Sequence, residues 1–97
     1  MKMVWVIYNQ VLQAEVMELL ERRGQRGFTR WQEVQGRGGE TGEPHMGSFT
    51  WPSLNGVLMC TMEEEEVEGF LESLRKLDAD LGDRGIQAFV NDVEQRL

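Results

Sequence analysis

Residues with the right types for chemistry fall at four places in the 97-residue chain. His45, Met46, Met59, Cys60 and Met62 combine imidazole, thioether and thiol, donors that suit copper(I) or zinc. Neighbours in a strand point to opposite faces, so Met59 and Cys60 cannot reach one ion within one chain, and buried Cys and Met are ordinary core residues. His45 remains the metal candidate, and a metal site completed by another subunit remains open. Glu63 to Glu66 resemble an acid cluster. Successive helical residues turn by about 100° each, so the four cannot converge and read instead as the solvated start of a helix, placed at the positive end of its dipole.

The third place is the glycine-rich stretch 36–42. Gly36 and Gly38 are followed by Thr41 where a dinucleotide fingerprint needs its third glycine, and the chain has no Gly-Lys pair for a P-loop. Glycine amides there can still form an anion nest, although such loops are more often simply flexible. The fourth is a basic ridge. Arg22, Arg23, Arg26, Arg30 and Arg37 are five of the 10 Lys and Arg residues, with Glu33 the one acidic residue from 22 to 37. Two readings stand side by side: a site for a phosphate, a carboxylate or an acidic partner, or helix-end charge plus protection of an edge strand.

The rest of the composition narrows the function. With 17 Asp and Glu against 10 Lys and Arg, the net charge of −7 repels phosphate backbones and disfavours nucleic acid or an anionic membrane as the main partner. One cysteine allows no internal disulfide, and one histidine leaves few parts for a zinc cage or a catalytic triad, which argues against most enzymes. No run approaches a membrane span, and the first residues alternate like a strand rather than a signal peptide, so a soluble, cytoplasmic protein is expected. Its length suits a single domain, 1–97.

Several elements must position these residues. Met3, Trp5 and Ile7 alternate with Val4, Val6 and Tyr8, so residues 2–8 read as a strand apolar on both faces. Asn9 is a plausible N-cap for a helix over 11–23, with Leu12, Val16, Leu19 and Leu20 on one side and Gly24 as its stop. Phe28 to Gln35 is β-compatible but less apolar, which fits an edge strand. Residues 36–53 hold five of the 11 glycines and both prolines, which predicts a long mobile loop with no helix or central strand, with Trp31 before it and Trp51 near its end. Leu54 to Met62 is a second strand apolar on both faces. Val67, Phe70, Leu71, Leu74 and Leu77 form the stripe of a second helix, Gly82 to Gly85 a turn, and Ile86 to Val93 a last strand.

The order β-α-β-β-α-β gives an α+β fold, the ferredoxin-like four-stranded antiparallel sheet with two helices on one face. Two helices cover one face of such a sheet. An antiparallel sheet whose other face met water would alternate with polar residues, and the first and third strands do not. Another copy of the chain is the simplest cover for that face, against the plainer reading of scattered surface apolar residues.

Gly27-Phe28-Thr29 followed by Glu33-Val34-Gln35-Gly36-Arg37-Gly38 and Gly42 resembles the PII signalling proteins, whose second strand runs G-M-T-x-x-E-V-x-G-x-G into a long loop. The spacing here is one residue longer. Met1-Lys2-Met3-Val4 with Ile7 is similar to the family's first strand, and Gly82-Asp83 with Ile86 and Val90 to its turn before the last strand, so the resemblance spans nearly the whole chain. It implies a homotrimer that binds an adenine nucleotide (ATP, ADP or AMP) between subunits and presents its loop, the T-loop, to a target such as a membrane transporter. By position, Gly36, Arg37, Gly38 and Glu40 match the loop base that meets the phosphates, and Gly82, Asp83 and Arg84 the phosphate-side turn.

The departures from the pattern are equally specific. The family's lysine in that turn is Gly85 here, beside Arg84, and its glutamine for magnesium and 2-oxoglutarate is Glu40. The loop 36–53 has no tyrosine for uridylylation, and the basic residues that follow the last strand in better-known members have no match. Two alternatives compete: a CutA-like metal-binding trimer, whose tryptophan-rich motif is not matched, and an ACT-like amino-acid-binding module, in which so long a loop is rare.

Overall fold

The structure, a computed structural model, describes residues 1–38, 44–46, 54–80, 82 and 85–97, with Pro44 and His45 described by backbone alone. Six strands are present among these residues: β1 (Lys2–Asn9), β2 (Thr29–Val34), β3 (Gly36–Arg37), β4 (Pro44–His45), β5 (Asn55–Met62) and β6 (Ile86–Asp92). The helices are α1 (Gln13–Arg22), entered through a 3-10 turn at Gln10–Leu12, and α2 (Glu64–Ala79). The main sheet has the order β2-β5-β1-β6, every pair antiparallel, with both helices on one face: the expected ferredoxin-like fold. The two strands read as apolar on both faces, β1 and β5, lie at its centre, and β2 lies at an edge as its composition predicts.

Alternation explains the core. Val4, Val6 and Tyr8 of β1 and Leu58, Cys60 and Met62 of β5 face the helices, where they bury against Leu12, Val16, Leu19, Leu20, Phe70 and Leu74. Burial pushes the Cys60 thiol from its ordinary 9.0 to about 11, which makes it a small core hydrophobe rather than a nucleophile. Asn9 accepts a hydrogen bond from the Val11 N–H (3.1 Å), so it caps the 3-10 turn that leads into α1. At the other end of α1 the Gln25 N–H bonds the Leu20 carbonyl (2.9 Å) and the Gly24 N–H bonds the Glu21 carbonyl (3.0 Å). This is a Schellman stop, and it needs the positive φ (70°) that Gly24 supplies.

Two local features go beyond the sequence pattern. The loop base is not irregular throughout: Gly36 pairs with His45 and Arg37 with Pro44 in a two-stranded ladder. Between Trp31 and Val34 the β2–β5 register shifts, because Trp31 pairs with Val57 but Val34 with Asn55. One extra residue of β2 therefore bulges out, and Glu33 takes φ = 56° to accommodate it. The bulge falls within the stretch where the spacing exceeds the PII pattern by one residue.

Candidate functional site

The end of the sheet from which the long loop leaves is built from four chain segments. The Asn9 N–H donates to the Gly85 carbonyl (2.8 Å), Asn9 pairs with Asn55, and Asn55 packs against Gly36, where a Cβ would lie 2.4 Å from its Nδ2. Asn55 is buried, so a side chain at position 36 has to displace it. Gly36 is thus set by contact at the loop base. The Gln10 N–H, donating to the Leu54 carbonyl (2.9 Å), ties the start of β5 to the same row.

The turn before β6 is held from α2. The Asp78 carboxylate accepts the Gly85 and Ile86 N–H groups (2.9 and 3.0 Å), and Gly82 closes the end of the helix with φ = 77°, its N–H on the Ala79 carbonyl (3.1 Å). Nothing in the sequence pattern singles out Asp78, because its partners are backbone groups seven and eight residues away. Hydrogen bonds to a charged group contribute about 1.5–3 kcal/mol. Asp78→Ala is therefore expected to lower Tm by several degrees and to speed amide exchange at Gly85 and Ile86, as hydrogen-exchange NMR would measure. Unchanged protection at both amides would refute the clamp.

The structure thus places Gly36, Arg37 and Gly38 at one edge of this sheet end and Gly82 in the turn at the other. Glu40, Asp83 and Arg84 lie outside the described residues. Three inter-strand gaps separate β2 from β6, about 14 Å at the usual strand spacing. Among the described residues, the loop base and the turn thus lie at opposite edges of the sheet end.

The other sequence candidates fare differently. Glu63 to Glu66 are all exposed at the start of α2 and do not converge. Lys2 is ion-paired with Asp92 and lies 4.0 Å from Glu64, joining the strand end to that helix start. In the basic ridge, Arg23 lies between the helices, where its guanidinium donates to Ser73 Oγ (3.2 Å) and occupies the space left by Gly69. Arg23 is thus tied to α2 while remaining exposed. Met59 faces away from the helices while Cys60 and Met62 face them, and no group of three His, Cys, Asp or Glu among the described residues is placed to hold a metal.

The face of the sheet away from the helices carries the remaining apolar residues. Across it run the rows Thr29–Met59–Trp5–Phe89 and Trp31–Val57–Ile7–Gln87. Phe89 is 55% exposed and Trp31 44%, and the Trp5 Nε1 donates to Asn91 Oδ1 (3.1 Å) on the same face. No helix of the described residues is long and apolar enough to cross a membrane.

Comparison with known proteins agrees with this architecture. CPII, a nitrogen regulatory PII-like protein from Thiomonas intermedia K12, is similar in structure. Its form bound to ADP, AMP and bicarbonate matches with a TM-score of 0.74 at 21% identity, covering 95% of this chain and 84% of that one. The form bound to ADP and bicarbonate gives 0.75 at 21% identity, with the same coverage. Its apo form gives 0.71 at 20% identity, over 95% and 87%. Identity this low establishes a shared fold. No curated protein matches the chain by sequence. The model of the family described as Nitrogen regulatory protein P-II, however, matches residues 1–96, nearly the same span over which the strand, loop-base and turn motifs occur in order, and the chain therefore belongs to the P-II family.

Proposed function

We propose that this single-domain chain is a trimeric, non-enzymatic cytoplasmic regulator that senses an adenine nucleotide between subunits and signals to a target protein, such as a membrane transporter, through residues 36–53. The observation that carries the reading is the apolar face opposite the helices, where Trp5, Ile7, Val57, Met59 and Phe89 lie side by side and no element of the described chain covers them. Monomeric proteins seldom leave so continuous a patch in water. A subunit-to-subunit site also suits the separation of loop base and turn, since a neighbouring chain supplies what one chain keeps about 14 Å apart. The structural relative CPII binds ADP, AMP and bicarbonate, which supports an adenine nucleotide as the ligand here.

The anion should lie where Gly36 to Gly38 with Arg37 meet the turn Gly82 to Gly85 with Arg84, because glycine amides and arginine coincide there. An arginine–phosphate contact in a partly desolvated cleft contributes roughly 1.5–3 kcal/mol. Calorimetry with ADP is expected to show at least about tenfold weaker binding for Arg84→Ala. Arg75→Ala serves as the control, because Arg75 is held on the outside of α2 by Glu68 (2.8 Å) and Glu72 (3.1 Å). Equal affinities in the two variants would remove the turn from the site. A thermal-shift panel of adenine nucleotides, 2-oxoglutarate and bicarbonate tests the ligand class itself, because a native-state ligand stabilises by mass action.

A further inference from the structure

The bulge in β2 has a cleft beside it. About 470 Å³ of space lies between the end of β2 and the start of α1, lined by Asn9, Gln10, Val11, Gln13, Gln32 and Glu33. Two of those six residues belong to the bulge, so the extra residue that departs from the PII spacing also forms one wall of the cleft. Glu33 is held in the left-handed region, uncommon for a residue with a side chain.

The opposite wall contains an unpaired donor. Tyr8 donates its hydroxyl proton to Gln13 Oε1 (2.5 Å), which fixes the carboxamide and leaves Nε2 shielded from solvent with no hydrogen-bond partner. Buried donors without partners are rare in folded proteins because each forfeits its hydration. Presenting that N–H to a molecule in the cleft takes a turn about the soft terminal torsion, which gives up the Tyr8 hydrogen bond in exchange for one to the ligand.

The lining defines the chemistry. Among the described residues the cleft is lined by four carboxamides, Asn9, Gln10, Gln13 and Gln32, and one carboxylate, Glu33, with Arg30 behind them near enough to act on the Tyr8 hydroxyl. Asn9 Oδ1 is already committed to the Val11 N–H. An anion would meet the Glu33 carboxylate in the wall itself, whereas a molecule with a carbonyl and N–H groups of its own satisfies amides and carboxylate together. We propose that this cleft is a second ligand site, specific for uncharged carboxamides and ureides, in which the ligand carbonyl accepts from Gln13 Nε2 and a ligand N–H donates to Glu33. The site is independent of the nucleotide reading above, so either can fail without the other.

Hydantoin, a small cyclic ureide, is the probe, with succinate and methylammonium as charged controls. In two-dimensional NMR of the 97-residue chain, hydantoin is expected to shift the amides of residues 9–13 and 32–34, including the Gln13 and Gln32 side-chain NH2 signals. The shifts should saturate at roughly millimolar concentration, the range open to so small a ligand. Deleting Glu33, which restores a regular register, should abolish them. Gln32→Leu, at an exposed position, should weaken binding several-fold without changing Tm, and keeps the test decisive if the deletion variant does not fold. ADP should not displace the probe. The proposal is overturned by unsaturable shifts, by a response centred elsewhere, by methylammonium binding as well as hydantoin, or by competition from ADP.

Discussion

Trp5→Glu is expected to convert the proposed trimer into single chains while leaving each chain folded. Trp5 occupies the middle of the open face, paired with Met59 on one side and Phe89 on the other. Its indole N–H is satisfied within its own chain by Asn91, so the ring can be covered without stranding a polar atom. A carboxylate at that position would be taken out of water with no cation facing it from β5 or β6, where Met59 and Phe89 flank it directly and its polar neighbour Asn91 is neutral. Desolvating an unpaired carboxylate costs several kcal/mol, and the cost recurs in every subunit. An association constant falls tenfold for each 1.4 kcal/mol, so assembly should weaken by roughly a thousandfold or more. In the isolated chain the same side chain stays in water, and Val4, Val6 and Tyr8 on the helix side are not disturbed. Sedimentation should therefore fall from trimer to monomer with an unchanged far-ultraviolet circular dichroism spectrum, and ADP binding should be lost with the inter-subunit cleft. A wild-type protein that sediments as a monomer at micromolar concentration would defeat the reading, as would a variant that remains trimeric.

What the sequence conveys and what it withholds divide along a physical line. Strands β1 and β5 were legible because alternation is a local property, and a strand apolar at both odd and even positions announces two covered faces. The stripe Val67, Phe70, Leu71, Leu74 and Leu77 located α2 for the same reason, and Phe70 and Leu74 are its buried residues. Low apolarity placed β2 at an edge, where five of its six residues are exposed. The bulge was visible only as one residue too many in a motif. Glycine or asparagine would have marked a left-handed position, whereas the glutamate at 33 carries no such signal. The β3–β4 ladder escaped detection because each strand has two residues and one of the four is a proline, so no periodicity exists to be read. At the candidate site, type and spacing singled out Gly36 and Gly82, which lie at the loop base and in the turn. The Asp78 clamp and the packing of Asn55 on Gly36 could not be read that way, because both depend on which segments the fold brings together.

Replacing Gly56 is expected to be the most damaging small change in the core. Gly56 lies opposite Tyr8 in the β1–β5 ladder, and a Cβ there would fall 2.5 Å from Tyr8 Cζ, 2.6 Å from its hydroxyl oxygen and 2.7 Å from Cε2. Its backbone is not in the left-handed region, so the position requires glycine for space and not for torsional freedom. Two effects oppose each other. A side chain at an ordinary strand glycine narrows the unfolded ensemble and stabilises by about 0.4–1 kcal/mol. Overfilling a packed core costs about 1–3 kcal/mol, occasionally more. The second must win here, because the ring cannot give way: Tyr8 is fully buried and its hydroxyl is tied to Gln13. Gly56→Val should lose about 3 kcal/mol, which for a chain of this size lowers Tm by roughly 12–24 °C. Tyr8→Leu in the same chain should recover part of that loss although Tyr8→Leu alone destabilises, the coupling expected of two groups that compete for one volume. Thermal unfolding of the two single variants and the double variant decides the matter. If the effects simply add, or if Gly56→Val melts within a few degrees of wild type, the contact between strand glycine and tyrosine ring does not set the spacing of β1 and β5, nor the anchoring of Gln13 at the start of α1.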